Sequence, residues 1–154
     1  MDGIVLLKED HKSVEKQFEK AGDGAHAEKR KIADKVIEEL TAHTWIEEKI
    51  FYPAAREVAP DTKDHVLESI EEHHVVLWML SELKDLDAAD ERFDAKMSVL
   101  MENVRHHVEE EEKEWFPDVR KAMGRNRLTE LGERMEAAKK KAPEEPLAVP
   151  SAKH

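Results

Sequence analysis

Apolar residues recur three and four positions apart along most of the chain, which is the spacing of one face of an α-helix. The pattern predicts four long helices, over about residues 4–20, 26–58, 62–86 and 91–123. A short fifth helix with Leu128, Leu131 and Met135 on one face is predicted to pack across them. Because the connections are short, neighbouring long helices should run antiparallel. The sequence therefore predicts an all-α fold, an antiparallel up-down four-helix bundle with a short C-terminal fifth helix.

The bundle and its fifth helix are predicted to form one domain over residues 1–142. Three prolines follow at positions 143, 146 and 150. The segment 143–154 is therefore predicted to be a disordered tail. Inside the second predicted helix, Pro53 should kink or loosen the last turn, because proline cannot donate a backbone hydrogen bond.

Composition narrows the range of functions. Of the 154 residues, 40% are charged, the net charge is -11, and cysteine is absent. An acidic surface argues against a nucleic-acid partner. The lack of cysteine excludes disulfides, thiolate metal sites and cysteine nucleophiles. No apolar run approaches the roughly 20 residues needed to cross a bilayer, and nothing resembles a signal peptide, so no membrane association and a cytoplasmic location are expected.

An internal repeat is the strongest signal in the sequence. Residues 40–53 (LTAHTWIEEKIFYP) match residues 104–117 (VRHHVEEEEKEWFP) at a constant offset. Before each match lies a helix in which an acidic residue precedes a histidine, as Asp10-His11 and as Glu72-His73. Two helical hairpins thus carry the same pattern, with a histidine on the first helix and His-x-x-x-Glu on the second.

The spacing in the second helix of each hairpin brings two polar side chains to one face. Residues four apart on a helix lie about 40° apart around its axis. His43 with Glu47 and His107 with Glu111 therefore face the same way, on the apolar stripe of their helices. His106 and Glu110 have the same spacing but lie on the opposite, charged side.

The third helix offers two candidate histidines. His73 lies near the centre of the apolar stripe, and His74 lies about 100° away. His73 also matches His11 in its sequence context, so it is the preferred candidate.

Six polar groups on buried stripes require partners, because an unpaired buried carboxylate is very costly. The simpler interpretation is a network in which glutamates bridge protonated histidines, but the twofold recurrence favours a metal centre. Nitrogen and oxygen ligands suit iron, manganese or zinc, and open positions favour iron. Two cations sharing both glutamates would each receive two histidines. The predicted ligands are His11, His43, Glu47, His73, His107 and Glu111.

Other side chains near the predicted ligands are weaker candidates. Glu48 and Glu112 should be solvated or lie behind the ligands, although one of them could turn inward and bind a metal as an additional ligand. Tyr52 would reach the metals only if the helix were distorted before Pro53. His74 is the alternative on the third helix. The remaining histidines, His26, His65 and His154, are predicted to lie at the surface.

This arrangement of residues resembles the hemerythrin family, specifically the bacterial hemerythrin-like proteins of the HHE cation-binding type. The resemblance covers about residues 4–123, and its H-HxxxE-H-HxxxE order is similar to that of stand-alone mycobacterial and actinobacterial members. It rests on His11, His43-x-x-x-Glu47, His73 and His107-x-x-x-Glu111. The resemblance implies a non-heme di-iron centre with two bridging glutamates and an oxo or hydroxo bridge.

The family resemblance also has implications for the reaction that the metal centre carries out. Oxygen carriers of the family use five histidines, including His-x-x-x-His on the third helix, where this chain has Leu77. Similarity to the HxxxE members implies redox chemistry with small oxidants instead, namely catalase-like reaction with hydrogen peroxide or reaction with nitric oxide, in oxidative stress. The alternative is a dioxygen-binding, iron-binding or sensing protein without turnover. A monomer or weak homodimer is expected.

Overall fold

The computed structural model describes residues 1–22 and 24–153, and the regular structure within them is helical. The helices are α1 (Gly3–Lys20), α2 (His26–Ile46), α3 (Tyr52–Val58), α4 (Lys63–Lys84), α5 (Phe93–Glu110), α6 (Phe116–Met123) and α7 (Arg125–Lys139). Two π-helical turns, Glu47–Phe51 and Glu111–Trp115, join α2 to α3 and α5 to α6. Short 3-10 turns cover Pro60–Thr62, Pro146–Ala148 and Pro150–Lys153. Among the described helices, none combines the length and apolarity that a bilayer crossing requires.

Four rods form the bundle: α1, α2 with α3, α4, and α5 with α6. Contacts between neighbouring rods run in opposite directions along the chain, as in Ser13 to Glu39 and Asp10 to His43, or Glu82 to Lys96 and Glu72 to His107. Neighbouring rods are therefore antiparallel. The predicted up-down bundle with a fifth C-terminal helix is confirmed.

The apolar core is divided into two clusters along the bundle. One cluster contains Val14, Leu40 and Leu100, and the other contains Leu7 and Ile46, all of them buried. Burying a side chain of this size stabilises the fold by about 1.5–3 kcal/mol. Between the clusters, every rod contributes buried polar residues at the same level.

The π turns precede the two prolines of the repeat. In a regular helix the Pro53 ring would clash with the carbonyl group four residues earlier. The structure widens the turn instead, so that the Tyr52 N–H bonds the Glu47 carbonyl, five residues back. The Phe116 N–H bonds the Glu111 carbonyl in the same way before Pro117. The predicted loosening at Pro53 therefore takes the form of a π turn. This turn contains one extra residue, which rotates the side chains that follow it around the helix axis.

Helix α7 packs along α1 and buries the three predicted residues, Leu128, Leu131 and Met135. Gly132 makes this approach possible. A Cβ atom at this position would lie 1.9 Å from the Met1 carbonyl oxygen.

Residues 143–153, which we call the C-terminal strap, differ from the predicted disordered tail. Val149 and Ala152 are buried in the first apolar cluster. The His74 ring bonds the Ser151 carbonyl, and the Trp78 indole N–H donates to the Ala152 carbonyl, both at 2.8 Å. The prolines do end the helical pattern, but two 3-10 turns let the apolar residues between them reach α4. His154 lies outside the described residues, and residue 142 as the end of a folding unit stays a prediction.

Candidate metal centre

Four imidazoles and two carboxylates converge between the two apolar clusters. The histidines come from four different rods, and the glutamates are the first residues of the two π turns. Glu47 and Glu111 are 0% exposed. His43 Nε2 and His73 Nε2 lie 3.2 Å from Glu47 Oε1, His11 Nε2 lies 3.5 Å from Glu111 Oε1, and His107 Nε2 lies 3.2 Å from Glu111 Oε2. All six predicted ligands are therefore brought together.

The opposite nitrogen of each imidazole is held by an outer carboxylate. The Nδ1 contacts are His11 to Glu112 at 2.6 Å, His43 to Asp10 at 2.8 Å, His73 to Glu48 at 2.7 Å and His107 to Glu72 at 2.6 Å. A carboxylate at Nδ1 holds a proton on that nitrogen, so that Nε2, which faces the centre, is the atom that would bind a metal on losing its own proton. Each outer carboxylate belongs to a residue that is adjacent in sequence to an inward-facing residue. Each accepts a hydrogen bond from a histidine on another rod.

The carboxylates dominate the electrostatics of the centre. Burial lowers the pKa of His43, but Glu47 and Asp10 outweigh it and raise this pKa to about 10. The pKa of His107 is raised well above its usual value, against the same desolvation, by Glu111 and Glu72. Burial likewise raises the pKa of Glu111, but His107 and His11 outweigh it and hold this pKa well below its usual value. Without a cation, protons on the imidazoles therefore balance the glutamates, and a metal ion would replace those protons.

The side chains fit a pair of cations. The Nε2 atoms of three of the histidines, both carboxylate oxygens of Glu47 and Oε1 of Glu111 are buried with no hydrogen-bond partner among the described residues. Two groups have ligand atoms within 4.8 Å of one another: His11, His43 and Glu111, and Glu47, His73 and His107. Unpartnered buried acceptors are rare because they are costly, and imidazole with carboxylate is a donor set that iron accepts. The role of these residues as ligands stays a prediction.

Tyr52 reaches the centre because of the π turn. Its hydroxyl donates to Glu111 Oε2 at 2.7 Å and lies 3.2 Å from His73 Nε2. The ring stacks on His73, with 5.4 Å between the centroids. Burial, followed by the charges of Glu111 and Glu47, raises the Tyr52 pKa well above its usual value, so the side chain is a phenol.

The other weaker candidates lie behind the centre or away from it. Glu48 and Glu112 bond the Nδ1 atoms of His73 and His11 and do not face the centre. His74 is turned to the strap. His26 is exposed as expected, whereas His65, expected at the surface, is half-buried.

Three residues with roles at the centre were missed by the sequence analysis. Asp10 and Glu72 had been noted as neighbours of histidines, but not as the groups that hold His43 and His107. The repeated acidic residue before each histidine was the available signal. Ser151 donates its N–H and its hydroxyl to Glu48 at 3.1 and 2.6 Å. The sequence gives no signal for this role, because the segment has the composition of a disordered tail.

A small cavity adjoins the histidines on the side of the first apolar cluster. It has a volume of about 30 Å³, enough for one or two water-sized molecules. Asp10, Thr44 and Glu72 lie at its edge with the histidines, and the other lining residues are aliphatic: Val14, Leu40, Val76, Val104 and Val108.

Comparison with known proteins identifies the family. The family model described as Hemerythrin HHE cation binding domain matches residues 2–119. The chain belongs to this hemerythrin family. A crystal structure of a hemerythrin HHE cation binding domain-containing protein from Mycobacterium kansasii has the same fold, with a TM-score of 0.75 and 23% identity over 92% of this chain and 86% of that one. No curated protein matches significantly. The resemblance inferred from the repeat is confirmed, and a hemerythrin HHE domain is a cation-binding domain.

Proposed function

We propose that this hemerythrin-family protein is a non-heme di-iron redox protein that reacts with small oxidants, foremost hydrogen peroxide in a catalase-like reaction, and also nitric oxide. The two irons would be held by His11, His43, Glu47, His73, His107 and Glu111. One observation carries the proposal: six buried donor groups converge, most of their inner atoms lack hydrogen-bond partners, and a small cavity adjoins them.

The surrounding residues favour small neutral substrates. Bound iron supplies open coordination positions and redox equivalents that the side chains lack. The cavity of about 30 Å³ has room for molecules of two or three heavy atoms, which is the size of hydrogen peroxide and of nitric oxide. Its aliphatic walls, including Val76 and Val104, disfavour entry of an unpaired charge. Tyr52 holds a phenol proton at the inner carboxylate of Glu111.

The proposal is tested by iron content and peroxide turnover of protein expressed with ample iron. We expect about two irons per chain and oxygen release from hydrogen peroxide. His107→Ala should lose both. His106→Ala is the matched control, because it is the adjacent residue, has the same His-x-x-x-Glu spacing with Glu110, and lies at the surface. Circular dichroism checks that both variants are folded.

The outcomes separate the alternatives. Iron at near-zero content in the wild type contradicts a metal centre. Two irons that cycle between oxidised and reduced spectra with oxygen, without consuming peroxide, indicate a binding or sensing protein without turnover. Equal iron content in His107→Ala and wild type contradicts the assignment of this ligand.

A further inference from the structure

The approximate twofold repeat places two equivalent clefts beside the centre. One cleft lies between α2 and α4, and the other between α1 and α5. Glu48 bonds His73 beside the first, and Glu112 bonds His11 beside the second. Because the repeat alone would give both clefts the same surroundings, their differences point to a division of roles.

The strap covers the cleft between α2 and α4. Ser151 donates two hydrogen bonds to Glu48, and side chains of α4 hold the strap backbone at both Ser151 and Ala152. The Glu48 side chain is only 7% exposed as a result. At the equivalent cleft the described residues leave a surface groove that Glu112 lines, and the Glu112 side chain is 32% exposed.

The uncovered cleft leads toward the inner cavity. A surface groove of about 280 Å³ runs along α1 and α5. His11, Val14, Val104 and Val108 line both the groove and the inner cavity, so these side chains form the partition between them. Val108 is half-buried, whereas its counterpart in the repeat, Thr44, is buried.

We propose that small molecules enter the inner cavity through the cleft between α1 and α5, past Val14 and Val108, and that the strap closes the equivalent route. The identity of these molecules, neutral and of two or three heavy atoms, rests on the proposed function. Glu15 pairs with Arg105 at the groove, so this acidic side chain does not stand alone at the entrance. The net charge of -11 repels anions.

The absence of cysteine allows a direct test on the metal-free protein. Val14 and Val76 hold equivalent positions after His11 and His73, both line the cavity, and they are 3% and 6% exposed. Each is replaced by cysteine in the full chain, and mass spectrometry measures the rate at which hydrogen peroxide, a neutral molecule of two heavy atoms, oxidises the thiol to a sulfenic acid with release of water. We expect Val14→Cys to react at least about tenfold faster than Val76→Cys, because thiol reactivity follows access.

Two further changes test the partition and the strap. Val108→Phe should slow modification of Val14→Cys about tenfold, whereas Val99→Phe, on the same helix but 50% exposed, should not. Val149→Asp places a carboxylate where the strap is buried, and it should release the strap and speed modification of Val76→Cys. Trp78→Ala, which removes one hydrogen bond to the strap, is the second variant if Val149→Asp does not fold.

Equal rates for the two cysteines, a faster rate for Val76→Cys, or no effect of Val108→Phe would overturn the proposed route. Circular dichroism confirms that each cysteine variant keeps its helices. Because these measurements use metal-free protein, their failure counts against the route alone. The iron content and peroxide turnover of the wild type judge the proposed function separately.

Discussion

Tyr52 and Glu111 join the two hairpins of the bundle through a hydrogen bond of 2.7 Å that is wholly buried. Phe116 holds the position equivalent to Tyr52 in the repeat and stacks on His11, as Tyr52 stacks on His73. The hydroxyl is thus the difference between two otherwise similar aromatic contacts. The Tyr52 hydroxyl gives Glu111 an uncharged hydrogen-bond donor in addition to the nearby histidines.

We expect Tyr52→Phe to destabilise the metal-free protein by about 1–3 kcal/mol, because Glu111 Oε2 loses its phenol donor while it remains buried. The measurement is urea unfolding in the presence of a chelator. Phe51→Leu, a change in the adjacent aromatic residue that makes no hydrogen bond to the centre, separates this loss from lost packing by leaving the Tyr52 bond intact. An unchanged unfolding free energy in Tyr52→Phe would show that the bond contributes nothing.

Metal binding should stabilise the fold. A ligand at 100 times its dissociation constant adds about 2.7 kcal/mol to the free energy of unfolding, and in a chain of this size that raises the melting temperature by about 5–10 °C. We expect calorimetry to show such a rise on adding iron(II) to anaerobic metal-free protein. His43→Ala should lose the rise. The same rise in His43→Ala and in the wild type would mean that the metal binds elsewhere.

The outer carboxylates should affect metal affinity without facing the metal. Glu72→Gln weakens the contact that orients His107, and loss of such a partner lowers metal affinity by about 10–100-fold. Competition with a coloured chelator measures this change. Glu71→Gln is the matched control, because Glu71 is the exposed neighbour of Glu72 on the same helix. Equal affinities in the two variants would contradict a role for Glu72.

Gly132 should resist even a methyl group. In Gly132→Ala the new Cβ would meet backbone atoms of Met1, Asp2 and Gly3, which cannot yield as a side-chain end would. We expect a loss of about 1–3 kcal/mol in unfolding free energy, despite the better helix propensity of alanine. Glu133→Ala, at an exposed site on the same helix, should change stability little. A more stable Gly132→Ala would show that α7 can move away from the N-terminus.

Sequence periodicity predicted the fold well because burial is periodic in a helical bundle. The apolar stripes gave the long helices to within a few residues at their ends, and the repeat singled out His43 and His107 over the exposed His106. His73 is predicted over His74 because it lies near the centre of the apolar stripe and because Glu72-His73 matches Asp10-His11. In the structure His73 is the one that faces the centre.

The remaining features depend on contacts between segments far apart in the sequence. Regular helical geometry places Tyr52 on the side away from the centre, and the one inserted residue in the π turn changes that direction. The strap has the composition of a disordered tail, and its order comes from the surface that α4 offers it. The hydrogen bonds that Asp10 and Glu72 accept from His43 and His107 run between rods, so spacing within one helix could not reveal them.

The layer of buried histidines and glutamates between the two apolar clusters also affects how the protein unfolds. This layer separates the two apolar clusters, which share few side chains. The coupling between the clusters therefore depends on the charges that neutralise Glu47 and Glu111. Protons on the four imidazoles neutralise these glutamates weakly and reversibly. Cations bound by residues of all four rods would hold the rods together more strongly. Without the metal, local opening of the bundle should therefore begin at the two π turns, before the unfolding transition of the whole chain.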